Sequence, residues 1–283
     1  MGIYALEQKF FGGRGFGKIP FLKKVKKFVF SKIQPDVVEV YGLKLHLDTA
    51  AGFLDAGTYK ESVLEVLKRE LKTGDTVLDI GANIGYFTCL MAKMVGEGGK
   101  VFAFEPDPGN LNLLRKNVAG NNLHNSVTVI PLAVSDEAGK SLLFPSGVHS
   151  SLGFDPFRVV IDRGEAVTVS AMTLDEFFNN SFPKINLIKM DVIGSEARAL
   201  KGMRELLRKN KTIIILSAFC PAFLEKAGTG GEDYLRALTG LGFKLYDITK
   251  EEEKLISPSE EAAFTLKYSP RGKIAQAELL CVR

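Results

Sequence analysis

The sequence predicts an α/β fold of Rossmann-like type, a mostly parallel sheet with helices on both faces. Short apolar runs recur along the chain: Thr76 to Ile80, Val101 to Phe104, Val127 to Ile130, Ile185 to Met190 and Ile213 to Leu216. Strands buried on both faces are continuously apolar in this way, and do not alternate. Segments of helical periodicity separate the first three runs, and the first run empties into a glycine turn that opens a helix, as a βαβ unit requires.

Taken in order, Val37 to Val40 and Leu43 to Leu47 form a short hairpin about Tyr41-Gly42. Val63, Leu64, Val66, Leu67 and Leu71 recur at helical spacing, and Thr73-Gly74-Asp75 closes that helix. The helix after the glycine turn covers Ile84 to Val95, ended by Gly96, Gly98 and Gly99. The next covers Pro108 to Ala119, with Asp107 as N-cap and proline at the first helical position. From 136 to 172 the pattern breaks into short pieces between Gly139, Pro145, Gly147, Gly153, Pro156 and Gly164, consistent with a hairpin or loop inserted over the site. The last third holds a helix near Tyr234 to Thr239, a strand at Phe243 to Ile248, a charged stretch at Lys250 to Lys254 and a final strand at Glu278 to Val282. The expected organisation is an arm and hairpin over 1–56 and a main domain over 57–283.

Bulk composition narrows the function classes. Of 283 residues 46% are hydrophobic and 25% charged, enough for a globular core, and no apolar run has the length of a membrane span. Without such a run or a leader pattern the chain is expected in the cytoplasm. Cys89, Cys220 and Cys281 are scattered, with neither C-x-x-C spacing nor nearby histidines, so buried thiols are expected and no metal site. The net charge of +4 is uneven: residues 1–35 carry eight Lys or Arg against Glu7, leaving 29 basic against 32 acidic residues elsewhere. A nucleic-acid-binding face of the whole fold is therefore not indicated. In that arm Phe21, Leu22, Val25, Phe28, Val29 and Phe30 interleave with lysines as in a helix with one apolar and one cationic face. Such a helix suits either peripheral contact with an anionic membrane or packing on the core.

The chemistry concentrates in Val77-Leu78-Asp79-Ile80-Gly81-Ala82-Asn83-Ile84-Gly85. Glycine at Gly81 and Gly85 permits steep backbone angles and lets the main chain approach a ligand. Asp79, at the strand end, is placed to hold the loop or receive an ammonium group. Glu105 follows Gly85 by 20 residues and ends the second strand, where a carboxylate accepts both ribose hydroxyls of a nucleoside. A dinucleotide fingerprint is G-x-G-x-x-G around a pyrophosphate; here Gly81 and Gly85 bracket Asn83 and an aspartate precedes them. That arrangement favours a sulfonium nucleoside, S-adenosylmethionine, over NAD, because a cationic head prefers carboxylates to a bare helix N-terminus.

These blocks together resemble the FkbM family of methyltransferases. The likeness runs through Gly57-Thr58-Tyr59, the Asp79–Gly85 loop, Phe104-Glu105-Pro106-Asp107, Leu132-Ala133-Val134-Ser135-Asp136, Thr173-Leu174-Asp175 and Ile188-Lys189-Met190-Asp191-Val192, over residues 57–217. It implies a class I methyltransferase fold of seven strands, the last inserted antiparallel, with Pro106 and Ala133 joining the cofactor site. It further implies methylation of a hydroxyl on a sugar, lipid-linked or small-molecule acceptor. Two acidic positions of the family pattern are replaced: Ile193 stands for the first glutamate of Asp-Val-Glu-Gly-Ala-Glu, and Ser217-Ala218 stands after the fifth strand. A cofactor-binding protein impaired in catalysis is thus one alternative, and an RNA methyltransferase another. The signatures of base methylation are missing, since Asp191-Val192-Ile193-Gly194 occupies the place of an Asp-Pro-Pro-Tyr type motif. The candidate bases are Asp191, ending the fourth strand, and His149 in the His149-Ser150-Ser151 loop; Asp191 has a helix-capping alternative and His149 an exposed-loop one. Glu196 is expected on the first turn of the next helix, favourable to its dipole.

Overall fold

The computed structural model describes residues 37–47, 61–146, 149–152, 166–179, 181–250, 252–270 and 274–283, with the backbone alone over 145–152. The expected amphipathic arm, and the blocks before residue 61 other than the hairpin, lie outside them. Two compact units divide the chain between Tyr59 and Lys60. In the first, β1 (Val37–Val40) and β2 (Leu43–His46) pair antiparallel. Tyr41 and Gly42 between them have φ of 49° and 69°, and positive φ at both central residues is what a two-residue hairpin turn with the strands' own twist needs.

The second unit opens with α1 (Glu61–Glu70), which buries Val63, Leu64, Val66 and Leu67 along one stripe. β3 (Thr76–Ile80), α2 (Tyr86–Val95), β4 (Lys100–Phe104), α3 (Pro108–Gly120) and β5 (Val127–Ile130) follow. α2 is buried nearly all round, hence its Met, Leu, Cys and Ala content. α3 begins as its sequence dictates: the Asp107 carboxylate accepts the N–H groups of Gly109 and Asn110, and Pro108 takes the first helical position.

After an excursion the sheet resumes with β10 (Leu187–Met190), then α5 (Glu196–Lys201) and α6 (Arg204–Lys209). Next come β11 (Ile214–Phe219), α7 (Pro221–Lys226), α8 (Gly231–Gly240) and β12 (Lys244–Asp247). β13 (Lys254–Ile256), α9 (Glu261–Lys267) and β14 (Ala277–Val282) complete it. The strand order is β13-β12-β14-β11-β10-β3-β4-β5. β5, β4, β3, β10 and β11 are mutually parallel, while β14 enters antiparallel between β11 and β12. This is the class I arrangement with its antiparallel last strand. It departs from the expected seven strands by β13, an antiparallel edge strand where a charged stretch was expected at Lys250 to Lys254. Lys254 and Leu255 are exposed there and only Ile256 is buried, as an edge strand allows. The central strands β3, β10 and β14 are buried along almost their whole length, and Ile188, Ile215, Leu279 and Cys281 sit in one continuous core with helix residues such as Leu200, Leu206 and Leu235.

The described residues of the 136 to 172 insertion take the hairpin form of the two expected, with a further strand beside it. β7 (Gly139–Ser146), β8 (His149–Leu152) and β9 (Val167–Met172) join β6 (Ala133–Val134) in a second sheet of order β6-β9-β7-β8. Ala133, Leu143, Val169 and Ala171 form a small core of its own. α4 (Leu174–Phe177), capped by the Thr173 hydroxyl on the Glu176 N–H, leads back toward β10.

Candidate active site

The strand order reverses direction at β3, which lies between β4 and β10, and ligands in open α/β sheets bind at such a switch point beyond the strands' carboxyl ends. The register makes the position definite. Ile80 pairs with Phe104 on one side and Met190 on the other, so Gly81, Glu105 and Asp191 leave three adjacent strands at the same level. The loop is fastened from both sides. Gly81 and Ala82 each donate their N–H to the Phe104 carbonyl at 3.0 Å, and Asp191 donates its own to Ile80 at 3.0 Å.

Both loop glycines adopt the steep backbone angles expected of them, and both also face tight packing inside the protein. Gly81 has φ +81°, and a Cβ there would lie 2.2 Å from the Asp191 carbonyl oxygen. Gly85 has φ +90°, and its Cβ would lie 2.5 Å from Leu114 Cδ1. Asn83 between them is also left-handed at φ 54°, a conformation asparagine tolerates. Its side-chain Oδ1 accepts the Ile84 N–H at 2.7 Å, and Asn117 Nδ2 donates to the Ile84 carbonyl at 2.7 Å.

Glu105 grips this loop. It is buried, with Oε2 accepting the Asn83 N–H at 2.7 Å and Oε1 accepting the Asp107 N–H at 2.8 Å. Burial pushes its pKa up to about 7, against those two backbone bonds, which pull it down. Pro106 beside it is half-buried, whereas Ala133 is buried in β6 and pairs with Ala171.

Asp79 lies deeper than a ligand-facing position. It is fully buried, accepts the Thr88 hydroxyl at 2.6 Å and pairs with Lys189 Nζ at 3.4 Å. Lys189, on β10, stands directly opposite Asp79 in the register and also rests 4.9 Å from the Phe87 ring centroid. Asp79 thereby ties β3 to α2 and to β10 beneath the loop. The signal for this pair was present: one charge inside each of two apolar runs has to find a partner when both strands are buried.

Of the two candidate bases, Asp191 leaves β10 at the crevice, half-buried. The N-cap position of α5 is Ser195, four residues beyond it. His149 is not in a loop: its backbone belongs to β8, the edge of the small sheet farthest from β6, and pairs with Ser146. That strand carries none of Asp79, Glu105 or Asp191. The turn between β10 and α5 is strained, with Ile193 at φ 44° and Gly194 at φ 85°, and a β-branched residue in the left-handed region is a true outlier. Glu196 begins α5 as expected and is buried, and the Val192 N–H donates to its Oε1 at 3.1 Å. Burial first, and the Asp191 charge after it, raise its pKa to about 8. Ser217 and Ala218, expected after the fifth strand, lie within β11 and are buried, and the Ser217 hydroxyl lies 2.7 Å from the Tyr234 hydroxyl.

Two raised carboxyls have a consequence for folding. Each keeps its proton in the native state up to pH 7 or 8, while the unfolded chain gives it up near pH 4.5, so stability falls as pH rises between those limits and levels off above them. Thermal melts are expected to drop from pH 5 to pH 8, and Glu196→Gln should flatten the part of the fall above pH 7. An unchanged slope in that variant would contradict the assignment.

A family model described as the methyltransferase FkbM domain matches residues 79–245, more than half the chain. The chain belongs to that family. Among curated relatives of this FkbM-family chain, hexuronic acid methyltransferase AglP of Haloferax volcanii is 30% identical over 159 residues, 55% of this chain and 61% of the relative. The 31-O-demethyl-FK506 methyltransferase FkbM of Streptomyces tacrolimicus is 32% identical over 164 residues, 48% of this chain and 62% of that protein. The chain thus spans about three-fifths of the length of either relative. A solved methyltransferase FkbM from Methylobacillus flagellatus KT superposes with a TM-score of 0.45 at 16% identity, covering 74% of this chain and 43% of that one.

Proposed function

We propose that this FkbM-family chain is an S-adenosylmethionine-dependent O-methyltransferase whose acceptor is a hydroxyl of a sugar, a lipid-linked sugar or another small molecule. The observation that carries the reading is the shared level of Gly81, Glu105 and Asp191 across the ends of β3, β4 and β10. The donor set fits a nucleoside: each Glu105 oxygen accepts one backbone N–H and keeps a lone pair for a ribose hydroxyl, and Asn83 and Ile84 leave the loop partly exposed beside it. When bound, the cofactor supplies an electrophilic methyl carbon on a sulfonium. The chain's own part is alignment and proton removal. Asp191 takes the proton of the acceptor hydroxyl as that oxygen attacks, and the loop, held by Glu105 and by the Asp79–Lys189 pair beneath it, fixes the approach.

The acceptor class draws support from the two relatives, one named for a hexuronic acid and one for 31-O-demethyl-FK506. Ile193 and Ser217-Ala218, in place of acidic residues, favour a second reading, a cofactor-binding protein without turnover. Release of S-adenosylhomocysteine with a panel of glycosides, glucuronides and polyols decides between them: turnover on any member supports the enzyme, and tight cofactor binding without turnover supports the second reading. For the basic arm at residues 1–35, contact with anionic lipid is proposed. Deleting residues 1–30 should abolish co-sedimentation with phosphatidylserine vesicles and leave cofactor affinity unchanged, and equal sedimentation of both forms would refute it.

A further inference from the structure

Among the described residues, three buried side-chain oxygens have no hydrogen-bond partner: Ser195 Oγ, Glu196 Oε2 and Thr265 Oγ1. Native folds leave few such atoms, because a buried polar group forfeits its bonds to water. Two of the three are on consecutive residues, just past the turn that leaves β10 at Asp191, and Ser195 and Glu196 are 1% and 2% exposed. Glu196 Oε1 closes the turn by accepting the Val192 N–H, which leaves Oε2 and the Ser195 hydroxyl as the atoms without a partner.

We propose that Glu196 Oε2 and Ser195 Oγ form an acceptor subsite, hydrogen-bonding an oxygen adjacent to the hydroxyl that Asp191 deprotonates, so that the acceptor carries neighbouring hydroxyls as a sugar ring does. The inference rests on the methyltransferase reading above. Glu196 Oε1 is occupied as an acceptor by the Val192 N–H, which puts the carboxyl proton on the buried Oε2 as a donor. Burial and the Asp191 charge keep that proton in place at neutral pH, so Asp191 and Glu196 divide their work: one carboxylate removes a proton, one carboxylic acid donates a hydrogen bond. The Ser195 hydroxyl supplies a second donor and acceptor. Access runs through the Asp191–Gly194 turn, whose Asp191, Val192 and Ile193 are partly exposed and whose Ile193 backbone is strained, making it the segment that yields when a ligand enters.

The test uses the full chain saturated with S-adenosylhomocysteine and methyl glucuronide as the probe, with binding followed by calorimetry. The wild type should bind the glucuronide, Glu196→Leu should bind it at least about tenfold more weakly, and Glu196→Gln, which keeps a neutral donor and acceptor, should stay within about threefold of wild type. Ser195→Ala, which removes a single oxygen, should weaken binding by about threefold or more and serves if the leucine variant melts. S-adenosylhomocysteine affinity should be the same in all four proteins. Glucuronide binding by Glu196→Leu or by Ser195→Ala as tight as wild type overturns the subsite. Loss in Glu196→Gln equal to that in Glu196→Leu overturns the neutral-donor role, and no glucuronide binding by a wild type that does hold S-adenosylhomocysteine overturns the ligand class. Failure to bind S-adenosylhomocysteine would instead strike the cofactor reading.

Discussion

Gly81→Ala is expected to destabilise the chain by roughly 2–5 kcal/mol and to eliminate cofactor binding. Two penalties add at this position. The left-handed backbone, φ +81°, costs a residue with a Cβ about 1–2 kcal/mol. The new methyl group would meet the Asp191 carbonyl oxygen at 2.2 Å, its carbon at 3.0 Å and Val192 Cγ1 at 3.1 Å, and overpacking of this kind adds about 1–3 kcal/mol. Neither β3 nor β10 can give way, because Asp191 and Ile80 are joined by a ladder hydrogen bond at 3.0 Å. Gly74→Ala separates the two terms: φ is +90° there, but nothing lies within 4 Å of the added carbon, so only the backbone penalty applies. Thermal melts of both variants check this, and equal losses at the two positions would show that the close approach to Asp191 carries no energy.

The second large effect is on rate. Asp191→Asn should lower turnover on a hydroxylated acceptor by about 10²- to 10⁴-fold, the range that general-base catalysis supplies, while leaving the dissociation constant for S-adenosylhomocysteine within about twofold. The amide keeps the size and hydrogen-bonding reach of the carboxylate but does not take a proton. Turnover unchanged in the variant would remove Asp191 from the chemistry and leave proton removal to solvent or to another group.

Local patterns in the sequence carry the elements of this fold well, since each is written in contiguous residues. The run Thr76 to Ile80 and the run Val127 to Ile130 have the bounds of β3 and β5, and the Asp107-Pro108 helix start needs only the next three residues to be understood. The antiparallel place of β14 came from family resemblance; spacing alone contains no instruction for inserting the last strand between the fifth and sixth of the sheet. β13 was hidden because an edge strand of three residues, two of them exposed, has no apolar period to detect. The excursion after β5 was legible only as a hairpin or loop, because its glycines and prolines cut it into strands too short to show a period.

Within the site, identities were legible and contacts were not. Asp79 and Glu105 stand out by spacing, yet their partners, Lys189 and Thr88 for one and the Asn83 and Asp107 amides for the other, depend on which strands become neighbours. Gly81 was marked as a necessary glycine, but the atom that makes it necessary belongs to Asp191, 110 positions later in the chain and on the adjacent strand. Glu196 is a parallel case: a glutamate at the start of a helix is ordinarily a surface residue, and only the fold buries it beside the Asp191 turn.

The central claim is that the crevice at the ends of β3, β4 and β10 holds an adenosyl nucleoside by its ribose. Calorimetric titration of S-adenosylhomocysteine into the wild type and into Glu105→Ala addresses it directly. Saturable binding by the wild type is expected, with affinity lower by about 2–3 kcal/mol, roughly 30- to 150-fold, in the variant, because the two hydrogen bonds to the diol and the Asn83 and Asp107 anchors disappear together. Equal dissociation constants for a folded Glu105→Ala and the wild type, or no heat of binding in either, would contradict it.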